Sequence, residues 1–195
     1  MNYNPEQINH LIQNRRSIFP NMYNGESVDD EVIKQMLENA NWAPTHRLTE
    51  PWRFVVFSGE GLEKLADFQS ALYKQIALNE DNFKEDKYEK LKTKPLLASH
   101  IIAIGMHRDE NERVPEWEEL ASVASAVQNM YLTASAYEVG CYWTSGGITG
   151  MKEANDFFGL GPKDTLLGFL FVGIPKGEWP RGRRGDWEDK VKWVG

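Results

Sequence analysis

The side chains with the clearest chemical potential begin with two adjacent arginines and a serine. Arg15, Arg16 and Ser17 directly follow a predicted helix. Guanidinium groups offer forked hydrogen bonds to a phosphate and a hydroxyl adds one more, so this run is suited to binding a phosphate. The alternative is that the arginines only complement the negative C-terminal end of that helix.

A second basic group lies near the C-terminus. It consists of three arginines in a stretch of four residues, although the chain as a whole is acidic: Arg181, Arg183 and Arg184. These arginines could approach the same phosphate from another side. The alternative is a solvated, charged tail.

A glycine-rich segment offers backbone rather than side-chain chemistry. It reads Trp143-Thr144-Ser145-Gly146-Gly147 and lies between a predicted strand and a predicted helix. Two adjacent glycines let a backbone approach a flat ligand closely. Backbone N–H groups there could bond a ring nitrogen or stabilise developing negative charge. A plain tight turn is the alternative.

Metal, thiol and hydrolase chemistry find little support in the sequence. The four histidines have no metal-ligand spacing, and His100 begins an apolar strand, which predicts a structural role. The single cysteine, Cys141, lies in an apolar run typical of a small core residue. No GxSxG motif, the signature of many serine hydrolases, is present, and neither is a GxGxxG or a P-loop motif. We therefore expect no metal and no catalytic side chain.

Composition limits the classes of partner. The chain has 195 residues, 41% of them hydrophobic, which predicts a single globular domain spanning 1–195. A net charge of −7 argues against nucleic acid as the main partner. The lack of an apolar signal core, of a membrane-length apolar run and of a second cysteine predicts a cytoplasmic protein with no membrane association.

The elements that must position these residues alternate between helices and short apolar strands. Asn4 and Pro5 predict the start of the first helix, and Ser27 with Asp30 the start of the second. Strands are predicted over 53–57, 100–106, 141–144 and 166–174, and longer helices over 62–78 and 115–139. Together they predict an α+β fold with a central mixed sheet flanked by helices. The highly charged stretch 79–94 is a candidate lid or surface insertion.

Taken in order, these segments resemble the nitroreductase family. The family opens with a helix followed by Arg-Arg-Ser, which is here Asn14 to Phe19, NRRSIF. A loop and strand of the type Ala-Pro-Ser to Gln-Pro-Trp-Arg correspond to Ala43-Pro44-Thr45-His46-Arg47-Leu48-Thr49-Glu50-Pro51-Trp52-Arg53. A late strand of the form GFLxxGxP corresponds to Gly168 to Pro175. The likeness extends over nearly the whole chain and depends on the order of the motifs.

The resemblance implies a mostly antiparallel sheet, an obligate homodimer and FMN bound at the subunit interface. It implies NADH or NADPH as hydride donor and a small-molecule acceptor, such as a nitro compound or quinone, in a ping-pong cycle. Arg15, Arg16, Ser17, Arg181 and Arg183 would bind the flavin phosphate. Residues 143–147 would face the ring, and the loop of Pro44, Thr45, His46 and Arg47 would approach it from the second subunit.

Two positions depart from the family pattern. Leu48 stands where many members have Asn, and Glu50 stands where many have Gln. Leucine cannot donate a hydrogen bond to a flavin, and Glu50 brings a negative charge. A flavin-binding protein without turnover is therefore an alternative, as is a dehydrogenase of a small metabolite on the same fold.

Overall fold

The structure, a computed structural model, describes residues 3–195 and consists of one antiparallel sheet with helices on both faces. The strands are β1 (Trp52–Ser58), β2 (His100–Met106), β3 (Gly140–Thr144) and β4 (Thr165–Gly173). The helices are α1 (Pro5–Asn14), α2 (Asp30–Ala40), α3 (Glu60–Asn79), α4 (Glu85–Thr93) and α5 (Glu116–Ala136). Short 3₁₀ turns cover Pro20–Met22, His46–Leu48, Lys94–Leu97, Lys152–Phe158 and Glu188–Lys190.

The sheet has the order β1-β2-β4-β3, and every neighbouring pair of strands is antiparallel. In addition to these strand pairs, Ser17 forms an isolated parallel β-bridge with Cys141 of β3. The predicted α+β class, with a mostly antiparallel sheet between helices, is confirmed. The bridge places the Arg-Arg-Ser segment along the edge of β3.

Each face of the sheet carries its own hydrophobic core. One core joins α2 and α5 to the sheet through fully buried residues such as Met36, Met130 and Leu170. The other joins α3 to the opposite face through residues such as Leu65 and Phe169. The sheet is therefore covered on both sides, which explains why β2 is buried at all seven positions.

Sequence reasoning misplaced two helix ends. The second helix begins at Asp30, because Asp29 rather than Ser27 caps it and accepts a hydrogen bond from the Glu31 N–H. The long helix ends at Ala136 rather than Val139, and the chain turns through Glu138 at φ 58°. The Val139 N–H then bonds to the Ala134 carbonyl, and β3 follows directly.

A β-bulge disturbs the pairing of β4 with β2. Ile104 faces Gly168, whereas Gly105 faces Leu166, so one residue of β4 is inserted between them. The insertion reverses the alternation, so that Leu166 and Phe169 both face the α3 side. Gly168 itself has φ 138°, a conformation nearly restricted to glycine. The bulge therefore sets which β4 side chains face the site described below.

The charged stretch that follows α3 is mostly helical, as α4. Gln69 of α3 is buried and donates a hydrogen bond to the Leu91 carbonyl at 2.6 Å. The Tyr73 hydroxyl accepts a hydrogen bond from the Lys84 N–H at 3.0 Å. These contacts attach α4 to α3. No helix within residues 3–195 has both the length and the apolar character needed to cross a bilayer.

Candidate active site

The Arg-Arg-Ser segment is held in place by hydrogen bonds to the sheet. The Ile18 N–H donates to the Cys141 carbonyl at 2.9 Å. The Tyr23 hydroxyl, farther along, donates to the Phe171 carbonyl at 3.0 Å. These two bonds, both made by residues that follow the segment, hold Ser17 beside β3.

Arg15 and Ser17 converge on Tyr131 of α5. The Arg15 guanidinium lies over the Tyr131 ring, 5.0 Å from its centre. The Tyr131 hydroxyl contacts Ser17 and accepts a hydrogen bond from the Trp143 N–H at 2.6 Å. Burial raises the pKa of Tyr131, so its hydroxyl stays protonated. Within residues 3–195 the Arg15 guanidinium donates no hydrogen bond, which leaves its donors available to an anion.

Arg16 has a different environment from Arg15. Its guanidinium donates to three backbone carbonyls, those of Gln13, Arg15 and Pro180. It also packs directly against Gly182. Arg16 therefore joins the N-terminal segment to the C-terminal tail, and most of its donors are already used.

The tail arginines are only partly brought to this region. Arg181 and Arg16 both line a cavity of about 600 Å³ beside α1 and the end of α5. Arg184 lies in a neighbouring groove with Arg16, while the Arg183 carbonyl accepts a hydrogen bond from Arg184. All three tail arginines are exposed. The structure thus brings Arg181 nearer to the Arg-Arg-Ser segment than Arg183.

The glycine-rich turn lines a cavity of about 230 Å³ on the α3 side of the sheet. Thr144, Gly146 and Gly147 form one wall, and Phe169 and Phe171 contribute aromatic surface. Gly147 has φ 77°, and a β-carbon there would lie 2.8 Å from the Leu91 side chain of α4. The backbone of the turn is therefore exposed to a space that can receive a flat molecule, while Ser145 is exposed to solvent.

Trp143 lies on the opposite face of β3 from this cavity. Its side chain packs against the core formed with α2 and α5. Its indole N–H is buried and has no partner among the described residues. Trp143 therefore supports the turn from behind, and only its backbone N–H, bound to Tyr131, belongs to the cluster with Ser17.

The loop of Pro44 to Arg47 lies apart from these groups in the single chain. His46 contacts Glu118 in the first turn of α5 at 2.5 Å, and Thr45 accepts a hydrogen bond from the Glu50 N–H. Arg47, Leu48 and Glu50 have φ values of 52°, 54° and 42°. Such conformations cost roughly 1–2 kcal/mol per non-glycine residue and persist where the surrounding structure requires them.

The sequence analysis did not identify the four polar side chains that line this cavity together with the glycine turn. Lys87, Lys90 and Lys94 line it together with Gln69. The spacing of the lysines, i, i+3 and i+7, places them on one face of a helix and could have identified them. The charge of the stretch concealed this pattern because acidic residues are interspersed.

His100 and Cys141 are both buried, as their apolar sequence context predicts. His100 is 3% exposed and contacts Ser99 and Asp30, which confirms its structural role. Cys141 is buried, and burial raises the pKa of its thiol, so it is a core residue. Within residues 3–195 no group of three or more His, Cys, Asp or Glu side chains could hold a metal ion.

Comparison with known proteins identifies the family. The model of the nitroreductase family matches residues 12–174. A Bacillus subtilis protein, YfhC, provisionally named an NAD(P)H nitroreductase, is 33% identical over 166 residues, covering 85% of this chain and 82% of its own. The Escherichia coli protein YdjA, with the same provisional name, is 33% identical over 147 residues, covering 75% of this chain and 77% of its own.

Solved structures show the same fold. A nitroreductase-like protein from Bacillus cereus superposes with a TM-score of 0.79 at 24% identity, covering 100% of this chain and 98% of its own. A protein from Desulfovibrio desulfuricans, provisionally named a nitroreductase and crystallised with FMN, gives a TM-score of 0.72 at 24% identity, covering 99% of both chains. The family predicted from the order of the sequence motifs is confirmed, and the chain belongs to the nitroreductase family.

Proposed function

We propose that this chain is an FMN-dependent oxidoreductase that uses NADH or NADPH to reduce nitro compounds, quinones or similar acceptors. The observation that carries the proposal is the position of two donor groups along β3. Ser17 and Arg15 lie beside Cys141, and the glycine turn follows Thr144. The three residue steps from Cys141 to Thr144 span about 10 Å, which places both groups within reach of a single extended ligand.

The residues present fit such a cofactor. Arg15 and Ser17 offer charge-assisted and neutral hydrogen bonds to a phosphate. The turn at Gly146 and Gly147 offers backbone close to an aromatic cavity. Bound FMN would accept and pass on hydride there, and the protein would supply binding, orientation and electrostatics. Tyr131 keeps Ser17 and the start of the turn in fixed relation, and no side chain needs to act as acid or base.

The same proposal includes a homodimer. Three large apolar side chains near the loop and the start of α5 are highly exposed: Trp42 at 80%, Leu48 at 79% and Trp117 at 67%. Exposed apolar groups of this size mark interaction surfaces. In the proposed dimer the loop of Pro44 to Arg47 reaches the flavin of the partner, which also accounts for its strained backbone. A cytoplasmic location is part of the proposal.

Steady-state kinetics with purified protein, FMN, NADPH or NADH and a quinone or nitroaromatic acceptor test the reaction. We expect parallel lines in double-reciprocal plots, because donor and acceptor would occupy the same aromatic cavity in turn. Intersecting lines would contradict a shared site. Bound flavin with no turnover of any acceptor would favour a flavin-binding protein that serves as a sensor or store.

A further inference from the structure

The cavity beside the glycine turn has a basic wall that the proposed hydride transfer does not require. Lys87, Lys90 and Lys94 line it, and no aspartate or glutamate does. None of these three lysines forms an ion pair among residues 3–195. In a chain with a net charge of −7, three ammonium groups without ion pairs around one small cavity favour the binding of an anion.

Two of the lysines are held in place by aromatic rings. The Lys94 ammonium lies 4.7 Å from the centre of the Tyr142 ring and 5.1 Å from that of Phe171. The Lys87 ammonium lies 4.4 Å from the centre of the Tyr73 ring. Such contacts orient a cation without neutralising it. Lys94 is half-buried, and this burial lowers its pKa, as expected for a charge lacking an acidic partner.

The acidic residues of α4 do not remove this charge. Glu85 and Asp86 line a separate groove with Lys84, Lys87 and Lys90, and none of these five residues forms an ion pair within residues 3–195. Lys94 and the turn are absent from that groove. The cavity bounded by Gly146, Gly147 and Phe171 thus has three lysines and no carboxylate in its lining.

We propose that Lys87, Lys90 and Lys94 bind the anionic group of a substrate whose flat part lies over the flavin ring that the glycine turn would hold. The inference rests on the proposed function and adds a substrate class to it: a planar molecule carrying a carboxylate, sulfonate or phosphate. The anion has two possible sources. It belongs either to the electron acceptor or to the 2′-phosphate that distinguishes NADPH from NADH.

The test uses the FMN-loaded protein and its Lys87→Gln/Lys90→Gln variant, whose altered side chains are exposed and should not affect folding. The acceptors are 4-nitrobenzoate and the neutral, similarly shaped 4-nitrobenzamide, with NADH as donor. We expect the kcat/KM for 4-nitrobenzoate, divided by that for 4-nitrobenzamide, to be about tenfold lower in the double variant than in the wild type. The reason is that two modest ion pairs with the carboxylate are lost. Lys92→Gln, a change on the same helix outside the cavity, should keep the wild-type ratio.

The second arm compares NADPH with NADH, using 4-nitrobenzamide as acceptor. If only the ratio of kcat/KM for NADPH to that for NADH falls, the lysines bind the donor's 2′-phosphate. If only the ratio for 4-nitrobenzoate to 4-nitrobenzamide falls, they bind the acceptor's carboxylate. If the double variant changes neither ratio, or if Lys92→Gln changes them equally, the inference is wrong.

An equilibrium measurement separates this inference from the proposed function. Benzoate is titrated into the flavin-loaded protein, and its Kd is read from the flavin absorbance. We expect the double variant to weaken benzoate binding about tenfold, and the weakening to shrink at high salt. A protein that never oxidises NADH but shows this difference would disprove the reaction and keep the anion site. Equal benzoate affinity in an active pair would exclude an acceptor carboxylate as the anion, and unchanged donor and acceptor ratios in the same pair would disprove the anion site altogether.

Discussion

Replacement of Arg15 by alanine is expected to leave a folded protein that has lost most of its affinity for FMN. The Arg15 guanidinium lies over Tyr131 and donates no hydrogen bond within residues 3–195, so its removal costs the free protein little. A charged hydrogen bond to phosphate contributes about 2–3 kcal/mol, which corresponds to roughly a 30–150-fold increase in Kd. Flavin fluorescence titration of the protein stripped of cofactor measures this directly.

Arg16→Ala is the matched control, because it removes the same charge from the neighbouring position. Its guanidinium already donates to the carbonyls of Gln13, Arg15 and Pro180. We therefore expect Arg16→Ala to lower the melting temperature and to increase the FMN Kd less than Arg15→Ala does. If Arg15→Ala keeps wild-type affinity while Arg16→Ala loses flavin, the phosphate has been assigned to the wrong arginine.

Gly168→Ala is expected to have the largest effect on stability. Gly168 has φ 138°, and an added β-carbon would lie 2.2 Å from the Thr144 carbonyl oxygen and 2.8 Å from Trp143 Nε1. Backbone strain and overpacking together cost about 4 kcal/mol, or roughly 8–16 °C in Tm for a domain of this size. Because Thr144 precedes the glycine turn, FMN affinity should fall as well. Thermal unfolding of the cofactor-free protein and FMN titration give the two values.

Gly25→Ala isolates the contribution of the backbone conformation. Gly25 also has a positive φ, 89°, but no atom lies within 4 Å of the β-carbon position. The expected loss is about 1–2 kcal/mol with no change in FMN affinity. Equal losses in the two variants would show that β3 and β4 do not approach each other as closely at Gly168 as described.

The sheet and the family could be predicted from the sequence because both depend on patterns along the chain. The apolar run from His100 to Met106 predicts a buried strand whatever surrounds it, and β2 has those bounds. Likewise, Asn4 and Pro5 form a local cap and helix start. The Arg-Arg-Ser segment and the glycine turn are contiguous, so their identity needs no knowledge of the fold.

The different roles of the residues within the site could not be predicted from the sequence, because these roles depend on contacts between distant parts of the chain. Arg15 and Arg16 have the same side chain, and contacts with Tyr131 and Pro180, both distant in sequence, distinguish them. The same holds for Tyr131, which lies more than a hundred positions from Ser17 but contacts it. Arg47 and Leu48 have positive φ values that neither residue type favours, so local sequence does not predict them.

The absorption spectrum of the purified protein, recorded without oxygen before and after addition of NADPH or NADH, tests the central claim most directly. The account predicts flavin bands in the first spectrum and their bleaching in the second, with Arg15→Ala lacking the bands unless FMN is added in excess. A protein that shows no flavin bands and takes up no added FMN would contradict the account. The cluster of Arg15, Ser17 and Tyr131 would then be a structural feature of the chain rather than a cofactor site.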